Sequence, residues 1–242
     1  MMYLNERIDD LQRGGLRVIQ RADAFRFGTD AVLLADFAAP RRHDRVCDLG
    51  TGTGIIPLLL YARENTISAD AVEIQPDMAD MAARSMAMNG LNEKIRVLPG
   101  DLRSIRTLLP HARYDLVTCN PPYGKAGGTL LNPDASKRLA RHEESCAIED
   151  VACAAAWLLQ NGGRLCCVFP AARMIELSDA MRKYSMAPKR IRMVHSRVEK
   201  AAHLCLMEGM LDARPGLIIE PPLVIYDENN AYTPELRRIY GL

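Results

Sequence analysis

The residues of this 242-residue chain that could do chemistry gather in four short stretches. Asp48 to Gly54 reads DLGTGTG, and a glycine-rich turn at the start of a helix brings backbone amides close to a ligand with polar or anionic groups. Gly50, Gly52 and Gly54 are spaced G-x-G-x-G, with Ile55 where a dinucleotide fingerprint would carry its third glycine, which argues against NAD. Glu73 closes the SADAVEI stretch about twenty residues on, where a carboxylate can accept both hydroxyls of a ribose. After a third apolar run, Gly100 and Asp101 could present an acceptor to an adenine amino group. The fourth stretch is NPPY, Asn120 to Tyr123. A planar amine delocalises its lone pair into the adjoining π system and is a poor nucleophile. The Asn120 side-chain oxygen and the Pro121 backbone carbonyl are two acceptors able to take its two hydrogens and draw the nitrogen toward tetrahedral geometry. Tyr123 offers a flat face for stacking, at about 1–3 kcal/mol for a base, and Pro121 and Pro122 stiffen the loop. An isolated NPP would be an ordinary turn; behind a strand and beside a complete cofactor set it reads as a substrate clamp.

These stretches need a frame, and the hydrophobic pattern supplies one. Short β-like runs alternate with helical segments, the pattern of an α/β fold whose parallel sheet is covered on both faces. Strands are predicted at Arg45 to Gly50, Ser68 to Ile74, Ile95 to Leu98, Tyr114 to Cys119, Arg164 to Phe169, Lys189 to His195 and Leu204 to Leu211. Pro76 suits a first helical position and Gly90 a position just past the end, so Pro76 to Gly90 reads as a punctuated helix with Met78, Met81 and Met86 as core filler. Further helices are expected from Ile55, over Ile148 to Leu159 and over Ala171 to Tyr184. Residues 1–44 form an N-terminal extension, expected to close over the cofactor and substrate site, and 45–242 the main domain. Gly124 to Ser145 reads as a loop rich in Gly, Asn and basic residues.

Composition narrows the function classes. With 48% hydrophobic and 25% charged residues the chain has the makings of a globular protein with a sizeable core. No apolar run approaches the ~18 residues of a membrane span and MMYLNERIDD has no signal-peptide core, so a cytoplasmic protein is expected. A net charge of +1 announces no polyanionic partner. Locally, Arg182, Lys183, Lys189, Arg190, Arg192, Arg197 and Lys200 form a basic stretch, which reads as a solvated face or as a phosphate-tracking patch. Seven cysteines without a CxxC pair, and five histidines without ligand spacing, predict neither a disulfide framework nor a structural metal.

DLGTGTG, AVEI with Glu73, PGD with Asp101 and NPPY together resemble the class I S-adenosylmethionine-dependent methyltransferases of the amino-methylating kind. The resemblance implies a Rossmann-like seven-stranded sheet with a reversed last strand, and S-adenosyl-L-methionine as cofactor. It places Gly50, Gly52 and Gly54 at the methionine part, Glu73 at the ribose and Asp101 at the adenine, with Asp48, Thr51, Ile74, Leu102 and Asn120 completing the cofactor set. In such enzymes NPPY serves adenine in DNA or RNA, guanine in ribosomal RNA in related forms, and the glutamine amide of release factors. The 44 residues before the first strand are too few for the helical substrate domain of the glutamine enzymes, and no large DNA target-recognition region is visible. The stretch LQRGGLRVIQRADAFRFGTDAVLLADF, RLARHEES at Arg138 to Ser145 and the C-terminal tail resemble the bacterial adenine-N6 methyltransferases that modify the adenosine following the anticodon of a valine tRNA. That likeness implies that FRFGTDA, with Phe27, Gly28, Thr29 and Asp30, closes over the methionine end of the cofactor. It also makes tRNA the expected partner, held by Tyr123, Lys125, Arg138, Arg141 and His142. Another amine, on an rRNA base or a protein glutamine, is the enzymatic alternative, and a non-catalytic RNA-binding scaffold of the same fold is the other. Intact Asn120, Pro121 and Tyr123 speak against the scaffold, which has no use for two acceptors aimed at an amine.

Overall fold

A computed structural model describes Tyr3 and residues 5–21, 28–121 and 147–242. The chain opens with an antiparallel hairpin of β1 (Glu6–Asp10) and β2 (Arg17–Arg21), followed by α1 (Thr29–Ala38). Then come β3 (Arg45–Leu49), α2 (Ile55–Arg63), β4 (Ser68–Glu73), α3 (Pro76–Met88) and β5 (Ile95–Pro99). A one-turn helix α4 (Ile105–Leu108), β6 (Tyr114–Cys119), α5 (Ile148–Leu158), β7 (Leu159–Pro170) and α6 (Met174–Lys183) follow. The described chain ends with β8 (Met186–His195), β9 (Ala202–Leu211), the two-residue strands β10 (Ile218–Ile219) and β11 (Leu223–Val224), and α7 (Pro234–Tyr240).

The main sheet runs β10, β8, β9, β7, β6, β3, β4, β5, and β11 also pairs with β8. Strands β3 to β7 are mutually parallel, whereas β9 runs antiparallel to both β7 and β8. The seven strands expected from the sequence are therefore all present, with the seventh reversed. Beyond them, β10 and β11 extend the sheet along the outer edge of β8; a two-residue strand has no periodicity to betray it. β7 starts at Leu159 rather than Arg164, past a register slip opposite Tyr114 and Leu116. The helix expected from Ala171 begins at Met174, behind a 3-10 turn over Ala171–Arg173. The chain steps from β3 outward to β4 and β5, then returns to place β6 on the other side of β3. The crevice beyond the carboxyl ends of β3 and β6 is thus the switch point where open α/β sheets bind their ligands.

Two apolar clusters hold the sheet from its two faces. One joins α1, α2 and the C-terminal α7 with Val46, Leu116, Val168 and Leu206; the other joins α5 and α6 with Cys47, Val117, Leu165 and Met207. Each fully buried leucine, such as Leu34, Leu60 or Leu158, contributes roughly 1.5–3 kcal/mol. An exposed pair such as Lys183 with Glu149 contributes roughly 0–1, so burial rather than surface charge fixes the fold. Met81 and Met86 are buried in α3 as expected of core filler. Among the described residues no helix is long and apolar enough to cross a membrane.

The N-terminal hairpin is joined to α3 by polar groups. The Ile19 amide donates to Ser85 Oγ at 2.9 Å, and Glu6 pairs with Arg84. The Asn89 carboxamide accepts the Arg17 amide at 2.9 Å and donates to the Arg17 carbonyl at 2.6 Å, standing in for a neighbouring strand. At the opposite end Arg13 donates to the Arg238 carbonyl of α7 at 2.9 Å.

Candidate active site

Because β3, β4, β5 and β6 are parallel, the glycine turn, Glu73, Asp101 and Asn120 all emerge at one end of the sheet. Leu49 and Cys119 are register partners, so the glycine turn and Asn120 leave adjacent strands side by side. Gly50, Gly52 and Gly54 all adopt the left-handed region, with φ of 70°, 58° and 85°. A Cβ on Gly52 would meet nothing within 4 Å, so the turn presents bare backbone to open space. Gly54 serves packing instead: a Cβ there would lie 2.5 Å from Met86 Cε, which means that glycine is what lets α2 start against α3.

The turn is fastened from β4. The Gly50 and Thr51 amides donate to the Val72 carbonyl at 2.9 and 3.0 Å. Glu73, 4% exposed, accepts the Gly52 amide on Oε2 and the Gln75 amide on Oε1, each at 2.8 Å. Each of its oxygens keeps a second lone pair, so the carboxylate is oriented yet still able to accept two hydroxyls. Ile74, the next residue, is 44% exposed, an apolar side chain left uncovered at the rim. Asp101 follows β5 as expected, with its carboxylate tied to Arg103 at 2.6 Å, an ion pair that holds its pKa below the ordinary value. Leu102 packs half-buried against the α5 side of the core.

Asp48 and Thr118 sit one step below the rim. They are register partners on β3 and β6, both fully buried, and the Thr118 hydroxyl donates to Asp48 Oδ1 at 2.7 Å. Asp48 Oδ2 and the Thr51 hydroxyl have no hydrogen-bond partner among the described residues. Burial pushes the Asp48 carboxyl up to about 7. Thr118 was not among the residues expected from the sequence, although a lone hydroxyl in the apolar run YDLVTC is the kind of signal that could have found it.

Gly28 caps α1, and Thr29 and Asp30 open it; the Tyr240 hydroxyl donates to Thr29 Oγ1 at 3.1 Å, so the C-terminal helix holds this end of α1. Burial raises the Asp30 carboxyl above its ordinary value. Asn120 lies half-buried and Pro121 buried directly beyond β6. Phe27, Pro122, Tyr123, Lys125, Arg138, Arg141 and His142 lie outside the described residues.

Four residues of the basic stretch near the C-terminus are already engaged. Arg190 pairs with Glu208 and Glu220, both at 2.9 Å, and lies over the Phe37 ring. Arg192 pairs with Glu235 at 2.8 Å, Lys183 with Glu149 at 2.7 Å, and Arg197 donates to the Asp227 carbonyl at 3.2 Å. Alternation along β8 sends Arg190 and Arg192 to the α1 and α7 side, where acids from distant segments meet them. Such pairing cannot be seen from charge counts along the chain.

Bare backbone in a glycine turn, an oriented acid at the end of the next strand and a reversed seventh strand define a Rossmann-like methyltransferase. Residues 22–190 match the family model of the methyltransferase small domain, and the chain belongs to that family. It is 31% identical over 231 residues to the tRNA1(Val) (adenine(37)-N6)-methyltransferase of Porphyromonas gingivalis, covering 91% of this chain and 89% of that one. The enzyme of the same name from Tolumonas auensis is 34% identical over 216 residues, covering 88% and 86%. Among solved structures, a predicted O-methyltransferase, protein Atu636 from Agrobacterium tumefaciens, superposes with a TM-score of 0.73 at 24% identity, covering 88% of this chain and 95% of that one. At that identity the structure attests the fold.

Proposed function

We propose that this protein transfers a methyl group from S-adenosyl-L-methionine to the exocyclic N6 amine of an adenine in the anticodon loop of a tRNA. The observation that carries the proposal is the register of β3 and β6, which sets the glycine turn and Asn120 side by side at the switch point. The likeness to the Porphyromonas and Tolumonas enzymes along most of the chain supports the substrate.

The site residues fit the cofactor. The space over Gly52, the two oriented oxygens of Glu73 and the unpartnered Asp48 Oδ2 and Thr51 hydroxyl suit a ligand with a ribose, an ammonium and a sulfonium. Gly50, Gly52, Gly54, Asp48 and Thr51 would hold the methionine part together with Phe27, Gly28, Thr29 and Asp30. Glu73 would take the ribose, and Ile74, Asp101 and Leu102 the adenine. When bound, the cofactor supplies a methyl group activated by positive charge on sulfur. Asn120 and Pro121 accept the two amine hydrogens and turn the nitrogen lone pair toward the methyl group, with Pro122 stiffening the loop. Tyr123 stacks on the base, and Lys125, Arg138, Arg141 and His142 hold the RNA. Alignment of two bound reactants contributes several kcal/mol, up to ~7–11 in well-placed systems. No side chain need act as a tuned base, since the proton can leave after transfer. An anticodon-loop base is already unpaired, which spares the few kcal/mol of extraction from a duplex.

The test is transfer of labelled methyl to total tRNA, rRNA and protein extracts, followed by mass spectrometry of nucleosides and amino acids. N6-methyladenosine in tRNA is expected. Label in rRNA or glutamine would reassign the amine, and no label anywhere would leave only an RNA-binding scaffold.

A further inference from the structure

Asp48 occupies the middle of the switch point with none of its surface exposed. Thr118 donates to one of its oxygens at 2.7 Å; the other has no partner within hydrogen-bond geometry among the described residues, and the Thr51 hydroxyl beside it favours the ionised form less than Thr118 does. An ionised carboxylate left so in a low-dielectric interior is strongly disfavoured unless a cation joins it. The groups that face it supply none. They are Thr118 from β6, Thr51 from the turn, Glu73 from the end of β4, and the thiols of Cys47 and Cys167. Burial pushes both thiols well up, so they stay neutral, and Glu73 adds like charge.

We propose that Asp48 is a proton-linked cation site: it holds a proton in the free protein near neutral pH and releases it when the cationic methyl donor enters. The O–H bond of the carboxyl breaks, the proton passes to solvent, and the carboxylate that remains balances the charge of the donor. This rests on the methyl-transfer function proposed above and adds to it that donor affinity is coupled to pH through one named group. The sign is fixed by linkage. The donor binds the ionised form, so its affinity climbs as pH rises toward the pKa of the free protein, about 7, and levels off above it. Thr118 is a positioning residue: its hydrogen bond favours the ionised form and sets where that plateau begins.

The experiment is calorimetric titration of the full chain with S-adenosyl-L-methionine between pH 6 and 8, in buffer pairs of different ionisation enthalpy. Wild-type protein should release on the order of half a proton per donor near pH 7 and close to one near pH 6. The amino group of the donor titrates as well, and subtracting the Asp48→Asn variant removes that contribution. Relative to that variant, wild-type affinity should fall by up to about tenfold per pH unit below 7. Thr118→Val keeps the carboxyl but loses the donor to Oδ1, so proton release should persist with its midpoint moved to higher pH; this variant carries the test should Asp48→Asn fail to fold. Equal proton counts in wild type and Asp48→Asn, or an unmoved midpoint in Thr118→Val, overturns the inference. Wild-type protein that binds no donor at any pH overturns the methyl-transfer function itself.

Discussion

The carboxylate of Glu73 accepts the backbone amide of Gly52 at 2.8 Å, so the last residue of β4 fastens the turn that follows β3. One side chain thereby shapes the cradle and lines it. Glu73→Ala should lose both contributions and Glu73→Gln only part, because the amide oxygen can still accept from Gly52. With charge-assisted hydrogen bonds worth about 1.5–3 kcal/mol, donor affinity should drop at least tenfold in the alanine variant and less in the glutamine variant. Calorimetry decides; equal affinities in all three proteins would remove Glu73 from the site.

Asn120 leaves β6 beside the cradle, where it was expected among both the cofactor and the catalytic residues. Asn120→Ala should keep most of its donor affinity and lose turnover by a factor of a hundred or more, about 3 kcal/mol on the scale of deleting one preorganised polar group. The separation of binding from turnover is the informative outcome. Near-normal methylation of tRNA by that variant would refute the role of the side-chain oxygen.

Much of the frame was legible because local signals set it. The apolar runs of β3 to β9 and the Pro76 and Gly90 punctuation of α3 are short-range features, and the glycine spacing carries its own conformational demand. Partners set by tertiary contact were not legible. Asn89 reads as the polar end of a helix, and that its carboxamide serves as a strand edge for Arg17 depends on a hairpin 72 residues away. Arg190 and Arg192 read as surface cations, yet the acids that claim them come from β9, from the segment after β10 and from α7. Asp48 was expected among the cofactor residues, but its pairing with Thr118 required the register of β3 against β6.

Arg190 gives a direct test of that lesson. Its guanidinium compensates Glu208, which is 4% exposed and also touches Arg164 at 3.1 Å. Removing one partner of a buried charge pair typically costs about 3–5 kcal/mol; with Arg164 still in place, Arg190→Ala should fall at the lower end of that range. Affinity for tRNA should stay within twofold of wild type where the protein remains folded. Urea denaturation and filter binding at matched salt check the two halves. A large loss of tRNA affinity without loss of stability would return Arg190 to a phosphate-binding face.

Asp48 also leaves a mark on the stability of the free protein. Its folded-state carboxyl stands at about 7, above the ordinary value of 3.8 that the unfolded chain would show. A raised acid stabilises the fold fully below its unfolded pKa, and that contribution is lost as pH rises through the folded pKa. Between pH 5 and 8 wild-type stability should therefore decline through this group, at up to about 1.36 kcal/mol per unit from pH 5 to about 7 and little beyond, roughly 2.5–3 kcal/mol in all. Glu208 and Glu6, both held below their ordinary values, add only a small slope of opposite sign near pH 5, where the unfolded glutamates are still partly protonated. Asp30, raised by burial, contributes in the same direction, so the comparison is between wild type and Asp48→Asn rather than with a flat line. Urea denaturation at pH 5 and 8 should show a steeper decline in wild type than in the variant. Saturating S-adenosyl-L-methionine at pH 8 should recover more stability in wild type, where a carboxylate waits for a cation, than in the variant. Parallel pH profiles in the two proteins would mean that Asp48 stays ionised in the fold.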